Sequence, residues 1–202
     1  METYQITPAN LERNIAWLNE ENLWISIPKN ANTQMRKVCK DVGLIRQTIP
    51  DDSSEFKNTI CVLRNPTTRL ISALGEFKAR FRTETDTIQN LLFEFIEEPL
   101  NFDEHLEPQL AFITGHAFTN ILMFESLFQE LQTIPIFRYN NVKLKQRINP
   151  IQLNMSRHFY PESIEKIYFD NQRAVDHAVN KYYQRDLEMW LEPLKFINKV
   201  IE

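Results

Sequence analysis

The segment Leu23-Trp24-Ile25-Ser26-Ile27-Pro28-Lys29-Asn30-Ala31-Asn32-Thr33-Gln34-Met35-Arg36 constrains the fold of this chain more than any other. An apolar run stops at a proline. A cation, three small or polar residues, a threonine and a helical pattern follow. A buried strand that turns through a short loop into a helix aims backbone N–H groups and the positive helix end at one point. That is a metal-free way to hold an anion. The chain has only 3 glycines in 202 residues, so the loop is not a glycine-rich phosphate cradle, and turns fall to Asn, Asp and Pro. Asn30 and Asn32 are therefore expected to take the left-handed backbone positions, which Asn tolerates better than most residues. A Walker loop would place its lysine after a glycine at the helix start. Here Lys29 opens the loop.

The rest of the pattern alternates short apolar runs with amphipathic stretches. Thr7-Pro8 reads as a cap and first turn of a helix reaching about Asn19. Residues 22–28 read as a strand, 33–42 as a helix stopping near Gly43, and 44–58 as a polar loop. Thr59-Ile60-Cys61-Val62-Leu63 reads as a second buried strand. Pro66 then starts a helix carrying Leu70, Ile71, Leu74 and Phe77. A helix over Thr87 to Glu97, strands near Ile121–Phe124 and Ile134–Phe137, a basic irregular stretch over 140–160, and helix over 161–192 broken near Asp170-Asn171 complete the pass. This order predicts one α/β domain over 1–202: a P-loop-like three-layer fold with a central, mainly parallel sheet of about four to five strands flanked by helices.

The net charge of −4 argues against a general nucleic-acid or anionic-membrane surface. Cys39 and Cys61 lie in apolar surroundings and read as buried free thiols. No stretch approaches the roughly 18 apolar residues of a membrane span, and Met1 to Ile15 lacks an apolar signal core, so a soluble cytoplasmic protein is expected.

On its own, Pro28-Lys29 is an ordinary exposed turn. The second strand changes that reading, because it ends in Leu63-Arg64-Asn65-Pro66-Thr67-Thr68-Arg69-Leu70-Ile71-Ser72. Arg64 falls at the carboxyl end of its strand, the edge where open α/β sheets bind ligands. A strand-end arginine can contact a phosphate bidentately, and Ser72, two turns into the next helix, can add a hydroxyl. Two neighbouring strands would each present an anion site on one sheet edge.

Together these segments resemble the sulfotransferase superfamily that uses 3′-phosphoadenylyl sulfate (PAPS), nearest its carbohydrate-type branch. The first is similar to its P-K-x-x-x-T 5′-phosphosulfate loop, the second to its R-[DN]-P-x-x-R-x-x-S 3′-phosphate motif. Arg64 follows Lys29 by 35 positions, in the expected order. Asp103-Glu104-His105-Leu106-Glu107-Pro108-Gln109 resembles an H-W-x-P-Q segment, with Leu106 in place of Trp. Tyr182-Tyr183-Gln184-Arg185-Asp186-Leu187-Glu188-Met189-Trp190 resembles the Y-x-x-D-hydrophobic helix that often closes such domains.

The resemblance implies transfer of a sulfuryl group from PAPS to a hydroxyl or amine of a carbohydrate or small-molecule acceptor, with 3′,5′-adenosine bisphosphate (PAP) as product and no metal. Lys29 would meet the charge growing on the leaving phosphate oxygen. The backbone of Asn30, Ala31, Asn32, Thr33 and Gln34, with the Thr33 hydroxyl, would hold the 5′-phosphate; Arg64 and Ser72 would hold the 3′-phosphate. The acceptor needs a base, for which His105 and Glu76 are both candidates. Lys78, Arg80 and Arg82 could guide an acidic acceptor, or simply be solvated. Two other classes stay open: a nucleotide-dependent phosphotransferase on a P-loop fold, and a non-catalytic nucleotide-binding protein on the same fold.

Overall fold

The computed structural model describes residues 15–82, 85–99, 102–138, 144–146, 148 and 163–202. Five strands form one mixed sheet: β1 (Ile15–Leu18), β2 (Asn22–Ile25), β3 (Ile45–Thr48), β4 (Asn58–Leu63) and β5 (Asn120–Met123), in the order β3-β1-β2-β4-β5. β2, β4 and β5 run parallel, whereas β1 is antiparallel to both β2 and β3. The sheet is thus mixed instead of mainly parallel.

The physical reason lies in the first turn. Only three residues separate β1 from β2, far too few for a parallel crossover. Asn19 accepts from the backbone N–H groups of Glu21 and Asn22 through Oδ1 and closes a hairpin. The expected helix up to Asn19 therefore gives way to a strand over 15–18; its residues 7–14 lie outside the described ones. β3 occupies part of the stretch expected to be loop, and all four of its residues are exposed. The expected fourth strand at 134–137 is instead a 3-10 turn over Pro135–Phe137, since Pro135 removes a ladder donor and fixes a helical φ.

Among the described residues, six α-helices frame this sheet. α1 (Asn32–Asp41) leaves β2 and is stopped by Gly43 at φ 79. α2 (Pro66–Phe81) leaves β4, with the Asn65 side chain capping Thr67 and Thr68 N–H. α3 (Ile88–Glu97) is capped by Thr87. α4 (Leu127–Leu131) follows β5. α5 (Ile164–Tyr182) is interrupted at Asn171, as the sequence suggests, and α6 (Gln184–Leu191) follows it.

Alternation along the strands sorts the core. Trp17, Trp24, Ile60, Val62 and Leu122 pack with Met35 and Val38 of α1 and with Leu127 and Leu131 of α4. Ala16, Leu23, Ile25, Cys61 and Leu63 pack with the 3-10 turn Gln109–Phe112 and with Met189 of α6. α2, α3 and α5 share a third apolar cluster. Helical elements thus flank both faces, and the carboxyl ends of β2, β4 and β5 share one edge. Cys39 and Cys61 are free and buried, and burial raises both thiol pKa values. Among the described residues, no helix is long and apolar enough to cross a membrane.

Candidate functional site

The loop between β2 and α1 is built on two left-handed residues, Lys29 at φ 67 and Ala31 at φ 62. Sequence alone points to Asn30 and Asn32 for those conformations, and the structure places them one residue earlier in each case. The difference follows from what Asn30 must do. It is fully buried, and its Nδ2 donates to Val62 O (2.6 Å) and Gln109 Oε1 (2.5 Å). With Asn30 turned into the protein as an anchor, the flanking residues absorb the reversal of the chain.

Ala31 is the cap residue of α1 and offers no side-chain acceptor, and the first intrahelical bond is Met35 N to Ala31 O. The first-turn N–H groups of Asn32, Thr33 and Gln34 belong to the set that a helix leaves unpaired. The exposed Thr33 brings its hydroxyl to the same end. An uncapped, positively polarised helix start beside a lysine can receive an oxyanion.

Lys29 reaches across to α2, where its Nζ pairs with Glu76 Oε2 at 2.5 Å. Both side chains are 14 % exposed. Burial lowers the Lys29 pKa, more than Glu76 raises it. Burial also pushes the Glu76 carboxyl up, but the attraction of Lys29, His105 and Arg80 outweighs it and leaves the group below its usual value. Glu76 Oε1 pairs with Arg80 and lies 3.7 Å from His105 Nε2. His105 Nδ1 is 3.1 Å from Asp103 Oδ2, and Asp103 also receives the His105 backbone N–H. The three residues assigned catalytic roles from sequence are therefore neighbours, in the order Lys29, Glu76, His105, with Asp103 behind the imidazole. Arg80 and Arg82 are not free guides for an acceptor, since they pair with Glu76 and Glu94.

Arg64 is 4 % exposed at the end of β4. Its Nη1 donates to Lys29 O (3.1 Å), its Nε to Thr68 Oγ1 (3.2 Å), and the guanidinium lies 4.4 Å over the Phe124 ring. Burial lowers its pKa to about 10. One arm of the fork thus ties the two anion segments together, and Nη2 has no partner among the described residues. Ser72 is buried on α2 at 6 % exposure. It makes no side-chain hydrogen bond among the described residues, so the structure places it near the motif's helix without tying it to Arg64.

Three further residues carry the site, and no local sequence signal gives them a role. Arg69, 1 % exposed, donates from Nε to Pro28 O and from Nη1 to Glu107 O, which fixes the base of the loop. Gln109 accepts from Asn30 Nδ2 and Arg64 N and donates to Arg64 O. Asp186, at 2 % exposure, accepts from Gln109 N (2.6 Å) and Leu110 N (3.0 Å). Its pKa is raised by burial, against the pull of Arg69 and those N–H donors. Tyr183 Oη donates to Leu106 O. The four sequence segments singled out above are therefore joined by hydrogen bonds into one scaffold: Asp186 and Tyr183 hold 106–110, Gln109 holds Asn30 and Arg64, and Arg69 holds Pro28.

Asp103, Glu104 and His105 also bring one potential metal-ligand atom each within 4.8 Å of one another. Their contacts to Glu76 and to each other already account for that grouping. Comparison with protein-family models, curated proteins and solved structures returned no match.

Proposed function

We propose that the chain is a sulfotransferase on a P-loop-like three-layer fold, moving a sulfuryl group from PAPS to a hydroxyl or amine of a carbohydrate or small-molecule acceptor. The observation that carries this reading is the joining of two anion-holding segments at the carboxyl ends of adjacent parallel strands. The Arg64 guanidinium donates to the carbonyl of Lys29 itself, so the segments are held at a fixed separation. A ligand with two separated anionic groups suits that arrangement better than a single phosphate.

The residues suit the donor. The uncapped start of α1 supplies N–H groups for the 5′-phosphate, with Thr33 beside them. The free arm of Arg64 and the Ser72 hydroxyl serve the 3′-phosphate. When bound, the donor supplies the sulfuryl group and a phosphate as leaving group. Lys29 gives up its pair with Glu76 and turns its ammonium to the oxygen on which charge develops. Stabilisation delivered where charge grows is the largest contribution such a site makes. A lysine whose pKa burial has already lowered loses less hydration in that move.

For the base, the geometry favours His105 over Glu76. Glu76 is engaged by both Lys29 and Arg80 and sits below its ordinary pKa, which makes it a poor proton acceptor. His105 has Nδ1 directed to Asp103 and Nε2 on the side of Glu76. An imidazole fixed at Nδ1 by a carboxylate presents Nε2 as the basic nitrogen. His105 Nε2 takes the acceptor proton as the acceptor oxygen or nitrogen bonds to sulfur and the bond from sulfur to phosphate breaks. Glu76 positions Lys29 until the donor arrives.

The test is a transfer assay with labelled PAPS against a panel of sugars, phenols and amines. Label is expected in at least one acceptor with wild-type chain and at a rate at least about 10²-fold lower with Lys29→Ala. Absence of transfer across the panel together with no binding of PAP sinks the proposal.

A further inference from the structure

The carboxylate of Glu76 stands among three groups able to carry positive charge. Its Oε2 takes Lys29 Nζ at 2.5 Å. Its Oε1 pairs with Arg80 and lies 3.7 Å from His105 Nε2. These partners are not equivalent. Lys29 comes from the loop after β2, 47 positions away in the chain, and its ammonium lies where that loop would hold an anion. Arg80 is on the same helix as Glu76 at i, i+4 spacing, so the two stay together whatever the loop does.

An anion approaching Lys29 therefore meets a carboxylate already in place. A partly buried pair is screened little by salt, so the newcomer must displace Glu76 or be repelled by it. The displaced carboxylate has a place to go. A shift of about 0.5–1 Å brings Oε1 within hydrogen-bond range of His105 Nε2. Arg80, whose side chain is 47 % exposed, is free to follow. The Glu76 side chain thus has two positions that leave its charge answered: on Lys29, or against Arg80 and His105. A group with two satisfied positions is a switch, not a fixed bridge.

We propose that Glu76 is an autoinhibitory latch on Lys29. It fills the anion position of the empty site, and an oxyanion arriving at the loop opens it by driving the carboxylate to Arg80 and His105. This rests on the anion-holding role proposed for the loop and adds its regulation. The latch weakens every anion that engages Lys29 by the same factor, because each must first pull the site into its open state. A lone oxyanion such as inorganic sulfate has one anchor and is thereby kept out. A ligand held at Arg64 as well tolerates the loss.

Two probes of the full chain test it: inorganic sulfate at constant ionic strength, followed by the amide chemical shifts of the loop, and PAP, followed by isothermal titration. Glu76→Gln, which keeps the shape of the side chain, is expected to tighten both by at least about tenfold, within the usual range of couplings between sites. In a Lys29→Met background the same substitution is expected to change neither affinity by more than about threefold, since no latch is left to release. Asp103→Asn removes a carboxylate that pairs with His105 and not with Lys29, and its effect is expected to be as small. Tightening by Glu76→Gln that persists without Lys29, or equal tightening by Asp103→Asn, would reveal general repulsion and overturn the latch. Unchanged affinity for both probes in Glu76→Gln would overturn it too. Sulfate that tightens as expected while PAP binds no variant would leave the latch standing and sink the nucleotide reading alone.

Discussion

Lys29 is held in a left-handed conformation and paired with a carboxylate on another helix. Both features keep its ammonium close to the loop it opens. Lys29→Ala should leave the melting temperature within a few degrees of wild type while lowering kcat by about 10²–10³, the loss seen when one donor to a developing oxyanion is removed. Near-normal turnover in that variant would remove Lys29 from the mechanism. The two base candidates separate in the same way. At saturating donor, His105→Ala should lower kcat by about 10²-fold or more, whereas Glu76→Gln, which keeps the shape but not the charge, should lower it far less. The reverse ranking would make Glu76 the base. Glu76 also has a signature in stability. Its carboxyl is held below the ordinary glutamate range in the folded state, against burial, by Lys29, His105 and Arg80. Its contribution is therefore present above the unfolded pKa and is lost as the pH falls through the lower folded value. Acid titration of unfolding free energy should show a smaller loss below about pH 5 in Glu76→Gln than in wild type. Equal loss would mean the pair with Lys29 adds nothing to stability.

At the scale of elements, the loop before α1 makes two demands that can be measured. Ala31 occupies a left-handed position at φ 62 with nothing but a methyl group to show for it. A left-handed alanine costs roughly 1–2 kcal/mol that glycine does not pay. Ala31→Gly also gives up a methyl group buried in the core, at about 1 kcal/mol, so it should leave the unfolding free energy within about 1 kcal/mol of wild type in denaturant titration; a larger drop would mean that no left-handed strain is relieved there. Asp186 makes the opposite case. Its carboxylate answers two buried backbone N–H groups, at Gln109 and Leu110. Asp186→Ala should cost about 2–5 kcal/mol, since each buried donor left alone costs roughly 1–3 kcal/mol. An effect under 1 kcal/mol would show that the 106–110 segment does not depend on α6.

These elements also show which parts of the structure are readable in sequence and which are not. Lys29, Thr33 and Arg64 are legible because their placement depends on local order: strand, turn, helix start. Gln109 and Asp186 are marked only by the resemblance of their segments, and their contacts are not legible, because their partners lie 45 and 77 positions away in the chain and nothing local requires them. β1 is misread because Ile15-Ala16-Trp17-Leu18 is too short to show a period, and its state is decided by pairing with β2 on one side and β3 on the other. β3 carries no apolar alternation at all, since all four of its residues face solvent. Apolar runs decide correctly for β2 and β4, where burial is nearly complete, and for β5, whose two central residues are buried, and fail at Ile134–Phe137, where a proline outranks the run.

For the whole molecule, a mixed five-stranded sheet brings the two segments proposed to hold anions to one edge, and Arg64, Asn30 and Gln109 lock their spacing. Binding a ligand that spans both segments stabilises the fold by mass action, and a ligand that reaches only one does so less. The most direct measurement is the melting temperature of the full chain titrated with 3′,5′-adenosine bisphosphate, with adenosine 5′-monophosphate and with ATP–Mg²⁺. A rise with the bisphosphate that needs no magnesium, that exceeds the effect of the monophosphate, and that is lost in Arg64→Ala is the expected result. A rise with ATP that depends on magnesium, with none from the bisphosphate, would contradict it.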